Sequence, residues 1–177
     1  AQFVAIEIGY LEKEGIKLEL TTGFGADKTA TAVISGDADI AFMGPEATIY
    51  QFNQGNADYL INFAQLTQRA GNFVVSREKE DSFKWEDLKG KKVIGGRPGG
   101  MPEMVFEYVL KKHGMNPQKD INLVQNIDFA NTSGAFVSGE ADYTVEFEPA
   151  ATLIEEQGAG YVVASVGKES GYVPYTA

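Results

Sequence analysis

The sequence predicts an α/β protein built as two lobes, each a mainly parallel sheet flanked by helices. Three observations carry that prediction. Segments with strand character alternate with helical segments of about 8–14 residues along the chain. The turn-rich "TQRAGN", Thr67 to Asn72, interrupts the alternation, after which the same order begins afresh. One phrase also falls at the same place in each block: "SGDADIAFMGPEA" from Ser35 and "SGEADYTVEFEPAA" from Ser138.

Taken in order, "QFVAIEIGYL" sets Phe3, Ile6 and Tyr10 at helical spacing beside Val4, Ile8 and Leu11, which predicts a well-buried helix. Gly15 stops it, and Ile16, Leu18 and Leu20 alternate with Lys17 and Glu19 as a strand. A helix over about Asp27 to Ser35 ends at Gly36, "ADIAFM" is a short apolar strand, and Pro45 starts the helix "PEATIYQFNQ". "DYLINFAQL" closes the first block as a strand. The second block reads as strand "FVVSR", strand "KKVIGG", helix "PEMVFEYVLKKHG", strand "INLVQNI", helix "TSGAFVSG", strand "DYTVEF", helix "PAATLIEEQG" and strand "YVVASV".

Composition narrows the chemistry. The 177 residues contain no cysteine and a single histidine, so neither a disulfide, a thiolate nucleophile nor a conventional zinc site can be assembled. No nucleophile stands at a recognisable spacing from a base, and the chain reads as a binder rather than an enzyme, without cofactor. A formal net charge of −10 opposes non-specific attraction to nucleic acid. His113 in "KKHG" reads as a helix C-cap, and Trp85 as a packing residue at the sheet edge.

In parallel α/β sheets ligands bind beyond the carboxyl ends of the strands, where loops lead into helix N-termini. Four loops fit: "GFG" (Gly23 to Gly25), "MGPE" (Met43 to Glu46), "GGRPGGMPE" (Gly95 to Glu103) and "EFEPA" (Glu146 to Ala150). The third is neither a P-loop nor a dinucleotide fingerprint, but its glycines let backbone approach a ligand, and Arg97 supplies a charge. Glu146 and Glu148 flank Phe147, and residues two apart on a strand share a face, so the pair is expected to accept together from N–H groups of a ligand.

The opening helix with its strand, the two "SG-E/D-AD" phrases and "FVVSRE…FKWEDLKGKKVIGG" together resemble the solute-binding proteins of ABC importers for nitrate, sulfonates, taurine and thiamine-precursor pyrimidines. The resemblance implies a periplasmic-binding type II (Venus-flytrap) fold, with the second, first, third, crossing and fourth strands side by side in each lobe. It implies an extracytoplasmic, monomeric protein, free in a periplasm or lipid-anchored, that closes on a small organic ligand and docks on a membrane permease. Carried onto this sequence, the ligand loops fall on Phe24, Gly25, Gly44, Pro45, Glu46, Arg97, Gly99, Gly100, Met101, Asn131, Glu146 and Glu148. Lobe one is expected over 1–68, lobe two over 69–171, and a return crossover over 172–177. Against that pattern lobe one lacks its first and returning strands, so the sequence is expected to be a portion of a longer protein, its export signal not included. Three glutamates at the cleft favour a ligand with amine or N–H donors over a bare oxyanion. The alternative readings are a ligand-sensing domain of a regulator and an enzyme like the thiamine-pyrimidine synthases.

Overall fold

The computed structural model describes residues 2–55 and 57–177. Its centre is a five-stranded sheet of β1 (Asn72–Ser76), β2 (Lys92–Ile94), β3 (Asn122–Val124), β4 (Tyr143–Phe147) and β5 (Tyr161–Ser165), in the order β3-β2-β4-β1-β5. β2 runs parallel to β3 and β4, whereas β1 is antiparallel to both β4 and β5. The order is the one the family resemblance implies, with β1 in the place of the crossing strand. β1 enters from the first half of the chain and so runs against its neighbours, which is why the sheet is mixed.

Alternating side chains send the strands' apolar residues to both faces. On one face Val74, Val93 and Val145 meet Val105, Phe106, Val109 and Leu110 of α5 (Met101–Lys112) and Val166 of α8 (Val166–Ser170). On the other, Val75 and Ile94 meet Phe136 of α6 (Thr132–Val137) and Ala151 and Ile154 of α7 (Ala150–Glu156). Fully burying each of the larger side chains contributes roughly 1.5–3 kcal/mol. Trp85 lies in a 3₁₀ turn (Trp85–Leu88) under α5, edge-on to Phe83 and stacked on His113, so it is a packing residue. His113 caps α5 and reaches Glu169 at 3.1 Å through Nε2.

The first half of the chain departs further from expectation. In place of one buried opening helix there are α1 (Gln2–Glu7) and α2 (Tyr10–Lys13), broken at Gly9, with Phe3, Val4, Ile8 and Tyr10 exposed. α3 (Ala26–Ser35) ends at Gly36 as expected and packs against α4 (Glu46–Asn53) around Ala30, Met43 and Ala47. The segments expected as strands, 16–20, 38–43 and 58–66, form no named strand. A strand exists through its ladder, and without paired neighbours these apolar alternations stand open, with Ile40, Ile61 and Phe63 more than 70% exposed.

Two stretches tie this half to the sheet. Residues 66–68 lead into β1, and residues 173–177 come back beside them: Leu66 N–H donates to Thr176 O (3.0 Å), and Val173 N–H to Gln68 O (2.9 Å). Met43 and Ala177 exchange both backbone hydrogen bonds, at 3.0 and 2.9 Å, so the returning segment also touches the entry to α4.

Candidate functional site

The loop "MGPE" folds as the entry to α4. Pro45 precedes the helix, and Glu46 opens it, nearly fully buried. A methyl group at the Cα of Gly44 would overlap Glu46 Oε2, so the glycine leaves room for the carboxylate in this position. Glu46 does more than favour its own helix dipole: Oε1 accepts from the backbone N–H of Met101, at 3.0 Å, across to the first turn of α5. Its other oxygen is buried and has no hydrogen-bond partner among the described residues.

The glycine-rich loop meets α4 a second time. The Tyr50 hydroxyl donates to Gly99 O at 3.0 Å and lies 3.3 Å from Met104 Sδ. Gly99 has φ +72°, a conformation that a side chain would strain. From below, Glu103 of α5 fixes the loop: Oε2 accepts from Gly99 N–H (3.2 Å) and Oε1 from Gln125 Nε2 (3.0 Å). Burial, then the neighbouring Glu107, pushes the Glu103 carboxyl up to about 7. Arg97 turns outward to Asp27 Oδ2 at 2.8 Å, so the loop also touches the start of α3, where Gly25 is the N-cap. Phe24 beside it has φ +54° and is exposed.

Three of the four expected loops therefore converge: "GFG" and "MGPE" from the first half of the chain, and "GGRPGGMPE" from the second. The fourth divides. Glu146 is buried on the α6 face of β4, where its carboxylate accepts from the hydroxyls of Thr144 (2.8 Å) and Thr132 (3.2 Å). Burial raises its pKa, and the two hydroxyl donors offset part of that rise. Glu148 has left the strand; it is exposed and accepts from Thr152 N–H (3.1 Å) and Oγ1–H (2.8 Å) inside the first turn of α7. The expected pairing of Glu146 with Glu148 thus fails, because β4 ends at Phe147 and the face alternation ends with it. Asn131 is exposed, ahead of Thr132 at the start of α6.

Residues outside the sequence expectation complete the centre. Asn72, at the head of β1, is fully buried, and both polar atoms of its side chain lack a hydrogen-bond partner among the described residues. The Tyr175 hydroxyl, on the returning segment, is buried in the same condition. Phe147 lies between them: it is paired with Asn72 across the ladder, and its ring centroid is 6.2 Å from that of Tyr175. Asn72 carried one signal in the sequence, an amide directly before an apolar strand, but it also closed a turn-like stretch. Tyr175 carried none. Among the described residues no group of three His, Asp or Glu side chains is arranged to hold a metal ion.

Comparison with known proteins follows the same lines. Residues 1–168 match the family model described as NMT1/THI5 like. Over 174 residues the chain is 52% identical to the "Putative binding protein YtlA" of Bacillus subtilis (strain 168), covering 98% of this chain and 52% of that protein. The chain thus spans about half the length of this curated relative. In structure it is similar to the alkanesulfonate-binding protein SsuA from Xanthomonas axonopodis pv. citri bound to MOPS, with TM-score 0.73 and 19% identity, over 97% of this chain and 58% of the other. The periplasmic aliphatic sulphonate binding protein SsuA from Escherichia coli superposes with TM-score 0.69 and 19% identity, over 91% and 55%. At those identities the structures speak for the fold, and the sequence match speaks for descent: the chain belongs to the NMT1/THI5-like family and has the mixed α/β fold of periplasmic binding proteins.

Proposed function

We propose that the chain is part of an extracytoplasmic solute-binding component of an ABC importer, which captures a small organic ligand between two lobes and presents the closed form to a membrane permease. The observation that carries this reading is the Glu46–Met101 hydrogen bond, which joins the first turns of two helices from opposite halves of the chain above a buried polar centre. A contact of that kind forms when two halves approach and breaks when they part, so a ligand bound beneath it would bias the closed state. The two halves would be 1–68 and 69–171, with 172–177 as the return crossover. Their links are the hydrogen-bonded stretches 66–68 and 173–177, which suit a hinge.

The reading is supported by YtlA, whose name describes a binding protein, and by the two sulfonate-binding proteins that share the fold. No helix among the described residues is long and apolar enough to cross a membrane. The ligand would be amine-bearing, zwitterionic or heterocyclic, since a buried glutamate with an unpartnered oxygen disfavours a plain anion.

The test is a thermal-shift panel of taurine, alkanesulfonates, nitrate, aminopyrimidines and small amines on the protein in its full native context. A ligand at 100 times its Kd should stabilise by about 2.7 kcal/mol. Absence of any shift, with turnover of one compound, would overturn the transport reading in favour of an enzyme.

A further inference from the structure

The four methionines of the chain lie at different depths. Met43 and Met115 are buried and Met101 is half-buried, whereas Met104, one turn into α5, is 41% exposed. Met104 also stands where the two halves of the chain touch. Its Sδ is 3.3 Å from the Tyr50 hydroxyl of α4, and the same hydroxyl is 3.0 Å from Gly99 O in the glycine-rich loop. A phenol carries one hydrogen, and here it has two acceptors. A thioether sulfur accepts weakly, so the hydrogen stays on the Gly99 carbonyl and ties α4 to the loop.

We propose that Met104 is a site of oxidative modification, where a two-electron oxidant such as hydrogen peroxide releases the Tyr50 hydroxyl from Gly99 and loosens the glycine-rich loop. A sulfur lone pair attacks one peroxide oxygen; the S–O bond forms as the O–O bond breaks. The leaving hydroxide takes the proton from the new S–OH group, so the sulfide is oxidised to the sulfoxide and the peroxide is reduced to water. The product is a polar acceptor in place of a weak one. An oxygen formed on the side facing Tyr50 has no room within the 3.3 Å separation, so the hydroxyl must move. Formed on the other side, it reaches the hydroxyl by rotation of the unbranched, exposed side chain and competes for its hydrogen. In both epimers Gly99 O loses the Tyr50 hydrogen. Glu103 still accepts from Gly99 N–H beneath the loop, so the loop loosens without unfolding. The reaction needs no bound solute, so it holds or fails independently of the transport reading.

The experiment treats the protein in its full native context with hydrogen peroxide, beside its Met104→Leu and Tyr50→Phe variants. Peptide mass spectrometry follows each methionine, and amide hydrogen exchange follows residues 95–100. Met104 should form its sulfoxide about tenfold or more faster than Met43 or Met115, because the oxidant must reach the sulfur. Exchange across 95–100 should then rise by about threefold or more. Tyr50→Phe should show the faster exchange before any oxidant is added and gain little from it. Met104→Leu, similar in volume, should keep its exchange unchanged under the same treatment. If Met104 oxidises no faster than the buried methionines, the site falls. If it oxidises while exchange over 95–100 stays within about twofold, or if Met104→Leu responds as the wild type does, the proposed coupling to Gly99 falls.

Discussion

Glu46 and Met101 stand 55 residues apart, and the carboxylate of one accepts the backbone N–H of the other at 3.0 Å. Glu46→Gln keeps an acceptor for that N–H and removes the charge. We expect it to change unfolding stability by less than about 1 kcal/mol and to weaken binding of a cationic probe by about tenfold or more, since hydrogen bonds to charged groups are the stronger ones. Calorimetric titration of the variant against acetamidine checks this; unchanged affinity would make Glu46 a purely structural clasp.

Glu103 gives the protein a pH dependence. Its pKa is raised in the folded state from 4.5 to about 7, first by burial and then by Glu107. The folded state therefore holds the proton more tightly than the unfolded one. The resulting stability is fully present below pH 4.5 and is lost as pH rises through about 7, an effect of roughly 2–3 kcal/mol. Glu103→Gln, neutral throughout, should flatten this part of the profile and be the more stable protein at pH 8. Melting curves between pH 5 and 8, a range of about 3 units, test it.

The Glu146 carboxylate depends on two hydroxyls. Thr144→Val removes the 2.8 Å donor while keeping shape, so the buried carboxylate loses a partner and its pKa rises further above the ordinary range. A destabilisation of about 1–3 kcal/mol is expected in urea unfolding, larger at neutral pH than in acid, where the protonated form needs less support. Equal loss at both pH values would show that packing, not charge, is at stake.

Two glycines separate fold from site. A methyl group at Gly167 would overlap the backbone oxygen of Ala70, which cannot turn aside, so Gly167→Ala should destabilise by about 1–3 kcal/mol. At Gly44 the overlap is with the Glu46 side chain, which can. Gly44→Ala should therefore leave the melting temperature close to wild type and reduce ligand affinity by displacing Glu46; a large fall in melting temperature would contradict this.

Arg97 and Asp27 form an ion pair that is half exposed on both sides. Arg97→Ala should alter stability by no more than about 1 kcal/mol, because solvent and salt screen such pairs. If urea unfolding moves by much more, the pair is holding the two halves together.

The second half of the chain was legible because its elements satisfy themselves locally and with near neighbours. The period-two pattern of "NFVVS" and "YTVEF" and the helical period of α5 reappear as β1, β4 and the two-sided core. The first half was not, because an apolar alternation such as Ile16, Leu18, Leu20 marks what a strand could be, while pairing decides whether it is one. The glycine-rich loop and "MGPE" were legible as loops leading into helix N-termini, because glycine and proline mark such entries wherever they occur. That they meet, through Glu46 and Met101, is a fact of long-range folding. So are the parting of Glu146 from Glu148 and the position of Phe147, opposite Asn72 in the ladder and against the ring of Tyr175. By itself the sequence determined the element types of the second half and the kind of fold, because these follow from local periodicity and turn chemistry. Which polar atoms end without partners was decided by the tertiary structure alone, because burial belongs to the packed whole and to no single segment.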